Sequence, residues 1–328
     1  MSKPLQIGLF GAGHMGNYHA RAIAERQDAV LAGVYDVDPA RAAQVAAAHG
    51  SRAETDPDRL AGAVDAAVIA ADTVAHRDLA VRLLGRGVAV LIEKPMAATA
   101  REARQIVAAA ERSGAVAQVG HILRFDPVTQ AVAGRRFRPR YVEVSWVAPF
   151  NPRGTDVGVV MDLMIHGLDL VLHWAGEAPS RIDAVGGIVV GPDEDFASAR
   201  LAFPGGCVAT LTTSRMSRTR QRLIRIFAEG TYLRLDYAAR KVEVVTPKPG
   251  LAERARQGDG KAPPPMEDLV TVEALAVDAG RDALRDQLAS FIAAVRGEGP
   301  VAVPARDGLL AIEAAEQVLA GVHPGRRA

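Results

Sequence analysis

The 328-residue sequence contains one cysteine, Cys207. A single thiol closes no internal disulfide and builds no multi-thiolate metal site, so neither can hold this chain together. Cys207 is expected as a small buried hydrophobe. The chain also lacks an excess of charge of either sign: 39 Lys and Arg stand against 38 Asp and Glu, a net charge of +1. That balance gives no global electrostatic reason to bind nucleic acid or a membrane surface. No uninterrupted apolar run approaches the roughly 20 residues of a membrane span. The opening "MSKPLQIGLFGAG" runs straight into glycines without a cleavage pattern, so no signal peptide is expected and a cytoplasmic location is the default. There is no short-period repeat. What remains, at 49% hydrophobic and 23% charged residues, is an ordinary globular chain long enough for two cores.

The first third alternates short apolar runs with helical patterns. Strands are predicted at 5–10, 30–36, 64–71, 88–93 and 115–120, with helices at 14–26, 39–48, about 74–85 and 99–113. Strands that are apolar throughout suit a parallel sheet covered on both faces, and the alternation predicts a doubly wound α/β fold. After residue 121 the pattern changes. Segments 140–150, 181–190, 196–206, 207–214 and 222–237 read as strands joined by turns such as "FPGG" and "AEG", the signature of an antiparallel sheet. Residues 247–265, rich in Pro, Gly and charge, read as a mobile loop, and helices at 283–297 and 305–321 close the chain. The expected division is 1–121 and 122–328.

"GLFGAGHMGNYHA" (8–20) sets Gly11, Gly13 and Gly16 in G-x-G-x-x-G spacing, with His14 and Met15 inside the motif. The loop follows a predicted strand and opens a predicted helix. Asp36 ends the second strand twenty positions after Gly16. Gly11 permits the tight turn, Gly13 lets a pyrophosphate approach the backbone, and Gly16 lets helix and strand pack closely. Asp36 suits a ribose 2′-hydroxyl and repels a 2′-phosphate, which favours NAD over NADP. Arg41, nearby in the next predicted helix, is open to two readings: a residue that softens this preference, or a surface residue only.

"LIEKPMAATA" (91–100) puts Glu93, Lys94 and Pro95 at the carboxyl end of a strand, the edge where open α/β sheets bind ligands. "VGHILRFDP" (119–127) supplies His121 and Arg124 where the first domain ends. In "MDLMIHGLDLVLHW" (161–174), Asp162, His166, Asp169 and His173 fall within an arc of about 60° on a helix that is otherwise apolar and therefore buried. Taken alone, the stripe is open to three readings: a metal site, a catalytic site or a self-satisfied polar seam. Metal sites usually draw ligands from more than one element, so no metal is expected.

Together the glycine loop, Asp36, "EKP" at 93–95, "GHILRF" at 120–125 and the D-x-x-x-H of Asp162 and His166 resemble the glucose–fructose oxidoreductase/inositol dehydrogenase (Gfo/Idh/MocA) family along the whole chain. The resemblance implies a Rossmann domain followed by an α/β domain with an open, mostly antiparallel sheet, and oligomers formed through that sheet, a homodimer or homotetramer. It implies oxidation or reduction at a sugar or cyclitol carbon with NAD(P). Lys94, Asp162 and His166 then match the family's catalytic positions. Gly11, Gly13, His14, Met15, Gly16, Asp36, Glu93 and Lys94 are the expected cofactor contacts. Asp169 and His173 are expected as deeper support, with His173 too deep to meet substrate.

Residues 143–170 resemble the branch that oxidises the 3-hydroxyl of UDP-N-acetylglucosamine on the way to the diamino sugar of some lipid A. "SRMSRTRQRLIRIF" (214–227) carries five arginines and no acid. Guanidinium groups suit a diphosphate. The expected substrate contacts are His121, Arg124, Arg153, Arg215 and Arg218, whereas Arg220, Arg222 and Arg225 are equally read as a solvent-facing strand. "GHILRFDP" departs from the branch in carrying Ile122 and Leu123. The alternatives are an inositol or aldose dehydrogenase, a redox-neutral NAD-using glycosidase, and a non-enzymatic NAD-binding regulator.

Overall fold

The computed structural model describes residues 3–151, 157–251 and 265–323. The chain divides into two compact units, Met1–Phe125 with Asp282–Glu316, and Asp126–Arg281 with Gln317–Ala328. The first unit thus runs four residues past His121, through the 3-10 turn Ile122–Phe125, and takes back most of the C-terminal helical segment.

The first unit carries six parallel strands: β1 (Leu5–Phe10), β2 (Ala29–Tyr35), β3 (Ala53–Glu54), β4 (Ala66–Ile69), β5 (Ala89–Glu93) and β6 (Ala117–Gly120). Their order is β3-β2-β1-β4-β5-β6. The chain winds outward in both directions from β1 and β4, and the crevice at their carboxyl ends is where this topology binds ligands. The helices α1 (His14–Ala24), α2 (Pro39–Ala48), α3 (Pro57–Ala61), α4 (Thr73–Leu84) and α5 (Ala100–Ser113) make the crossovers. Ile7, Leu9, Val68, Leu91 and Ile92 have no exposed surface. Each such side chain contributes about 1.5–3 kcal/mol by leaving water.

The second unit opens with the single turn α6 (Pro127–Gln130) and holds eight strands: β7 (Pro139–Val147), β8 (Arg181–Gly187), β9 (Phe196–Ala202), β10 (Val208–Ser214), β11 (Gln221–Ala228), β12 (Thr231–Asp236), β13 (Lys241–Pro247) and β14 (Val270–Leu275). They lie in the order β14-β13-β12-β11-β7-β10-β9-β8, antiparallel except for the central β7–β10 pair. Turn glycines with positive φ, Gly206 and Gly230, sit in "FPGG" and "AEG". Helix α7 (Ile165–Ala175) covers one sheet face, and the turn α8 (Met266–Leu269) precedes β14. The opposite face carries the ring stack Tyr141–Phe227–Tyr232, with centroids 5.8 and 4.8 Å apart, and the exposed Val185, Phe196 and Val272.

Two closing helices, α9 (Ala283–Val295) and α10 (Ala305–Val322), follow. Leu288, Phe291 and Ile292 of α9 enter the same core as Ile7, Leu9 and Leu31. Among the described residues, no helix is long and apolar enough to cross a membrane.

Candidate functional site

Each glycine of the first loop has its own reason to be glycine. Gly11 has φ +102°, and a Cβ there would lie 2.3 Å from the Ala71 nitrogen. A Cβ on Gly16 would lie 2.1 Å from the Gly11 carbonyl oxygen, a backbone atom with nowhere to go. Gly13, the residue before α1, has nothing within 4 Å of where its Cβ would be, so its side is open to a ligand. The amides at the start of α1 favour an anion there. His14 is exposed and packs edge-on against Tyr18, and Met15 is half-buried.

Asp36, at the end of β2, is buried and held in place: Oδ2 accepts the Ala12 N–H at 2.7 Å and Oδ1 the Asp38 N–H at 2.9 Å. It lines a cavity of about 410 Å³ with Gly11, Gly13, Tyr35, Ala71 and Leu79. Arg41 also lines this cavity; its nearest carboxylate is that of Asp38, 3.8 Å away and exposed. A largely apolar slot in which the fixed Asp36 carboxylate stands beside an open glycine backbone fits an adenosine diphosphate moiety.

The β5 terminus is built on a pair the sequence reading passed over. His19 of α1 has no exposed surface, and its Nε2 lies 2.7 Å from Glu93 Oε1. Burial pushes the Glu93 carboxyl up, but the His19 hydrogen bond and charge, the Lys94 N–H (3.2 Å) and the Lys94 ammonium outweigh it and hold it below the usual range. Lys94 is half-buried, and the Lys94–Pro95 peptide is cis. His76, buried on α4, spans the carbonyls of Ala71 (2.9 Å) and Pro95 (3.0 Å) and thereby ties the loop after β4 to the loop after β5. Burial, the largest influence, lowers its pKa despite those carbonyls. His121 is buried, and Arg124, also buried, pairs with Asp307 of α10 at 3.1 Å.

In the second unit the helix bearing the Asp/His stripe is not uniform. Val160–Met164 forms a π-helical turn that leads into α7. Such turns recur at functional sites. A π turn rotates less per residue than an α-helix, so Asp162 and His166 come closer to eclipsed than the regular spacing predicts. Both are half-buried, and Asp169 is buried. His173 corrects the expectation: it is exposed, beside Trp174 and Arg136 in an open cleft. Gly167 lets the helix approach, because a Cβ there would meet Val144 Cγ1 at 2.9 Å and Leu211 Cδ2 at 3.1 Å.

The start of this helix is fastened by Glu194, another residue sequence reasoning missed. Its Oε1 accepts the Val160 N–H at 3.0 Å, and its backbone carbonyl accepts the Val159 N–H at 3.0 Å. Its Oε2 lies 3.3 Å from His323 Nε2. Next to it, Asp195 Oδ2 accepts the amides of Val189, Val190 and Gly191 at 2.6–3.0 Å. Burial raises the Asp195 carboxyl, but these three amides and Arg215 outweigh it and bring the pKa down to about 2. Arg215, expected at the substrate, is buried here. Its Nε stands 2.8 Å from Asp195 Oδ1, a charge contact rather than an aligned hydrogen bond, and its Nη2 donates to the Glu194 carbonyl at 3.1 Å. Arg218 is exposed in the segment between β10 and β11. Arg153 lies outside the described residues. Cys207 is buried, which raises its thiol pKa. Among the described residues, no three His, Cys, Asp or Glu side chains could hold a metal ion.

Comparison with known proteins assigns the family. The sequence model described as "Oxidoreductase family, NAD-binding Rossmann fold" matches residues 5–121, and the Gfo/Idh/MocA C-terminal domain matches residues 128–234. The chain belongs to the Gfo/Idh/MocA oxidoreductase family. It is 35% identical over 321 residues, 97% of each chain, to UDP-N-acetylglucosamine 3-dehydrogenase of Acidithiobacillus ferrooxidans. A solved structure of that protein superposes with a TM-score of 0.87 over 98% of both chains. Inositol 2-dehydrogenase of Rhizobium meliloti is 28% identical over 98% of both chains. The protein is thus an oxidoreductase, and the glycine loop and Asp36 belong to its NAD-binding Rossmann fold.

Proposed function

We propose that the protein oxidises the 3-hydroxyl of UDP-N-acetylglucosamine to the 3-ketone. The observation that carries this reading is the 35% identity, spanning 97% of both chains, to a dehydrogenase of that substrate. Inositol oxidation is the second reading, favoured by the full-length 28% identity to an inositol 2-dehydrogenase.

Gly11, Gly13, Gly16 and Asp36 would hold NAD, with Glu93 and Lys94 at its reactive end. When bound, NAD takes up the hydride from the alcohol carbon. The chain's own residues manage the proton and the charge. His166, or Lys94 as the neutral amine, accepts the hydroxyl proton. Asp162 orients the His166 ring from the preceding turn. Where His166 is the base, Lys94 as a cation offsets the negative charge that develops on oxygen. Asp36 prefers a free ribose 2′-hydroxyl and so selects NAD over NADP. His121, Arg124, Arg153 and Arg218 remain candidates for the substrate. Arg215 has a structural use in holding Glu194, which argues against a substrate role.

A 3-keto nucleotide sugar is the form an aminotransferase needs, which suits a place in diamino-sugar synthesis for lipid A, in the cytoplasm. The apolar rings on the uncovered sheet face of the second unit support a homodimer or homotetramer through that sheet. The test is NADH formation with UDP-N-acetylglucosamine, lost in Lys94→Ala and His166→Ala. Turnover of inositol, with none of any UDP-sugar, would replace this reading with the second.

A further inference from the structure

The five arginines of 214–227 are indistinguishable by spacing, but strand register separates them. Arg215 is buried against Asp195. Arg225 pairs with Glu143 of β7 at 2.9 Å on the uncovered face of the sheet. Arg218 and Arg220 are exposed in the segment before β11. Arg222 stands apart. It lies opposite Trp146 in the β7–β11 register, on the face that α7 covers, with its guanidinium carbon 5.4 Å from the Trp146 ring centroid.

Behind it the site is fixed. Trp146 is buried and packs on Tyr237 at 5.3 Å, and the Tyr237 hydroxyl meets the Thr129 hydroxyl at 2.9 Å. The Tyr237 N–H holds the Arg222 carbonyl at 2.9 Å. Arg222 as a whole residue is half-buried, yet among the described residues its guanidinium makes no hydrogen bond or ion pair. Burial and the neighbouring Arg220 both work against its charge, while Asp126 and Asp162 support it only from a distance. A guanidinium brings five N–H donors in a planar fork. With no protein acceptor, that fork is open to an acceptor arriving from outside, and a charged one would replace water with a stronger, charge-assisted pair.

We propose that Arg222, stacked on Trp146 and backed by Arg220, receives the diphosphate of the substrate, beside the helix turn that carries Asp162. The inference rests on the nucleotide-sugar reading above and names the anchor within it. It moves the phosphate contact from Arg215, which the fold uses internally, to an arginine the sequence pattern left among solvent-facing residues.

The test compares Arg222→Met, Arg222→Lys and, as a control from the uncovered face, Arg225→Met. Loss of a charge-assisted bidentate pair predicts that Arg222→Met raises KM for UDP-N-acetylglucosamine by about 10- to 100-fold, with kcat within about threefold. Competitive inhibition by UDP should weaken by the same factor. Arg222→Lys keeps the charge without the fork and should fall between, and Arg225→Met should match wild type. NAD binding, followed by protein fluorescence, should be unchanged in all three, which separates a lost anchor from a misfolded variant. An Arg222→Met enzyme that turns over normally with unchanged KM and unchanged UDP inhibition overturns the inference while leaving the substrate reading intact. So does an equal loss of UDP and NAD binding, which marks a packing role. A wild-type enzyme inert toward UDP-sugars overturns both.

Discussion

Glu194 offers the sharpest test of how the fold positions the Asp162/His166 pair. It is 2% exposed, and it takes two consecutive amides, Val159 and Val160, at the turn that begins two residues before Asp162. Glu194→Ala removes the side-chain acceptor, strands the Val160 N–H and releases His323. A buried hydrogen bond to a charged group is worth about 1.5–3 kcal/mol, and an orphaned amide adds to that loss. A net loss of about 3 kcal/mol follows, since the backbone bond from Val159 survives. At about 2–4 °C per kcal/mol for a domain of this size, the melting temperature should drop by about 6–12 °C. Glu194→Gln keeps an oxygen for Val160 and loses only the charge, so about 1 kcal/mol is expected. Because the turn sets the helix, kcat of Glu194→Ala, assayed well below its melting temperature, should fall about 10- to 100-fold through misplacement of His166. KM for NAD should not move, since the glycine loop belongs to the other unit. A Glu194→Ala enzyme melting within 2 °C of wild type, with kcat within about twofold, would refute the reasoning.

Further predictions concern the two fixed aspartates. Asp195 is held at about 2, below its ordinary value near 3.9, so its stabilisation is complete above pH 4 and is lost as pH falls through 2. Asp195→Asn should therefore lose about 2 kcal/mol at neutral pH in urea melts, with the gap to wild type closing below pH 4; a gap independent of pH would contradict the pairing. Asp36→Asn keeps one oxygen acceptor for the two loop amides, loses the other, and removes the charge that repels a 2′-phosphate, so the kcat/KM preference for NAD over NADP should narrow by about tenfold or more; an unchanged preference would point to Arg41 instead.

Much of this was legible in the sequence because its signals are local. The glycine loop, the apolar strands and Asp36 are read within thirty residues, and β1 and α2 fall at the predicted bounds, 5–10 and 39–48. The edge of the second sheet was not read. In β13, Val242 and Val244 are buried between Lys241, Glu243 and Val245, a period-2 pattern broken by a third valine. β14 is an edge strand with no buried side chain, so its brief alternation of Val270, Val272 and Ala274 with Thr271 and Glu273 marks no core face. The π turn arises from backbone geometry that side-chain spacing does not encode. Glu194 was invisible because its partners are backbone amides 34 residues away. The arginine segment shows the same limit: 215, 222 and 225 differ only in which strand and face the fold assigns them.

The most direct measurement is steady-state turnover of UDP-N-acetylglucosamine with NAD, followed as NADH formation with identification of the sugar product. The account predicts a 3-keto UDP-sugar formed by wild type and not by His166→Ala. Absence of turnover with every UDP-sugar, alongside oxidation of inositol, would contradict it.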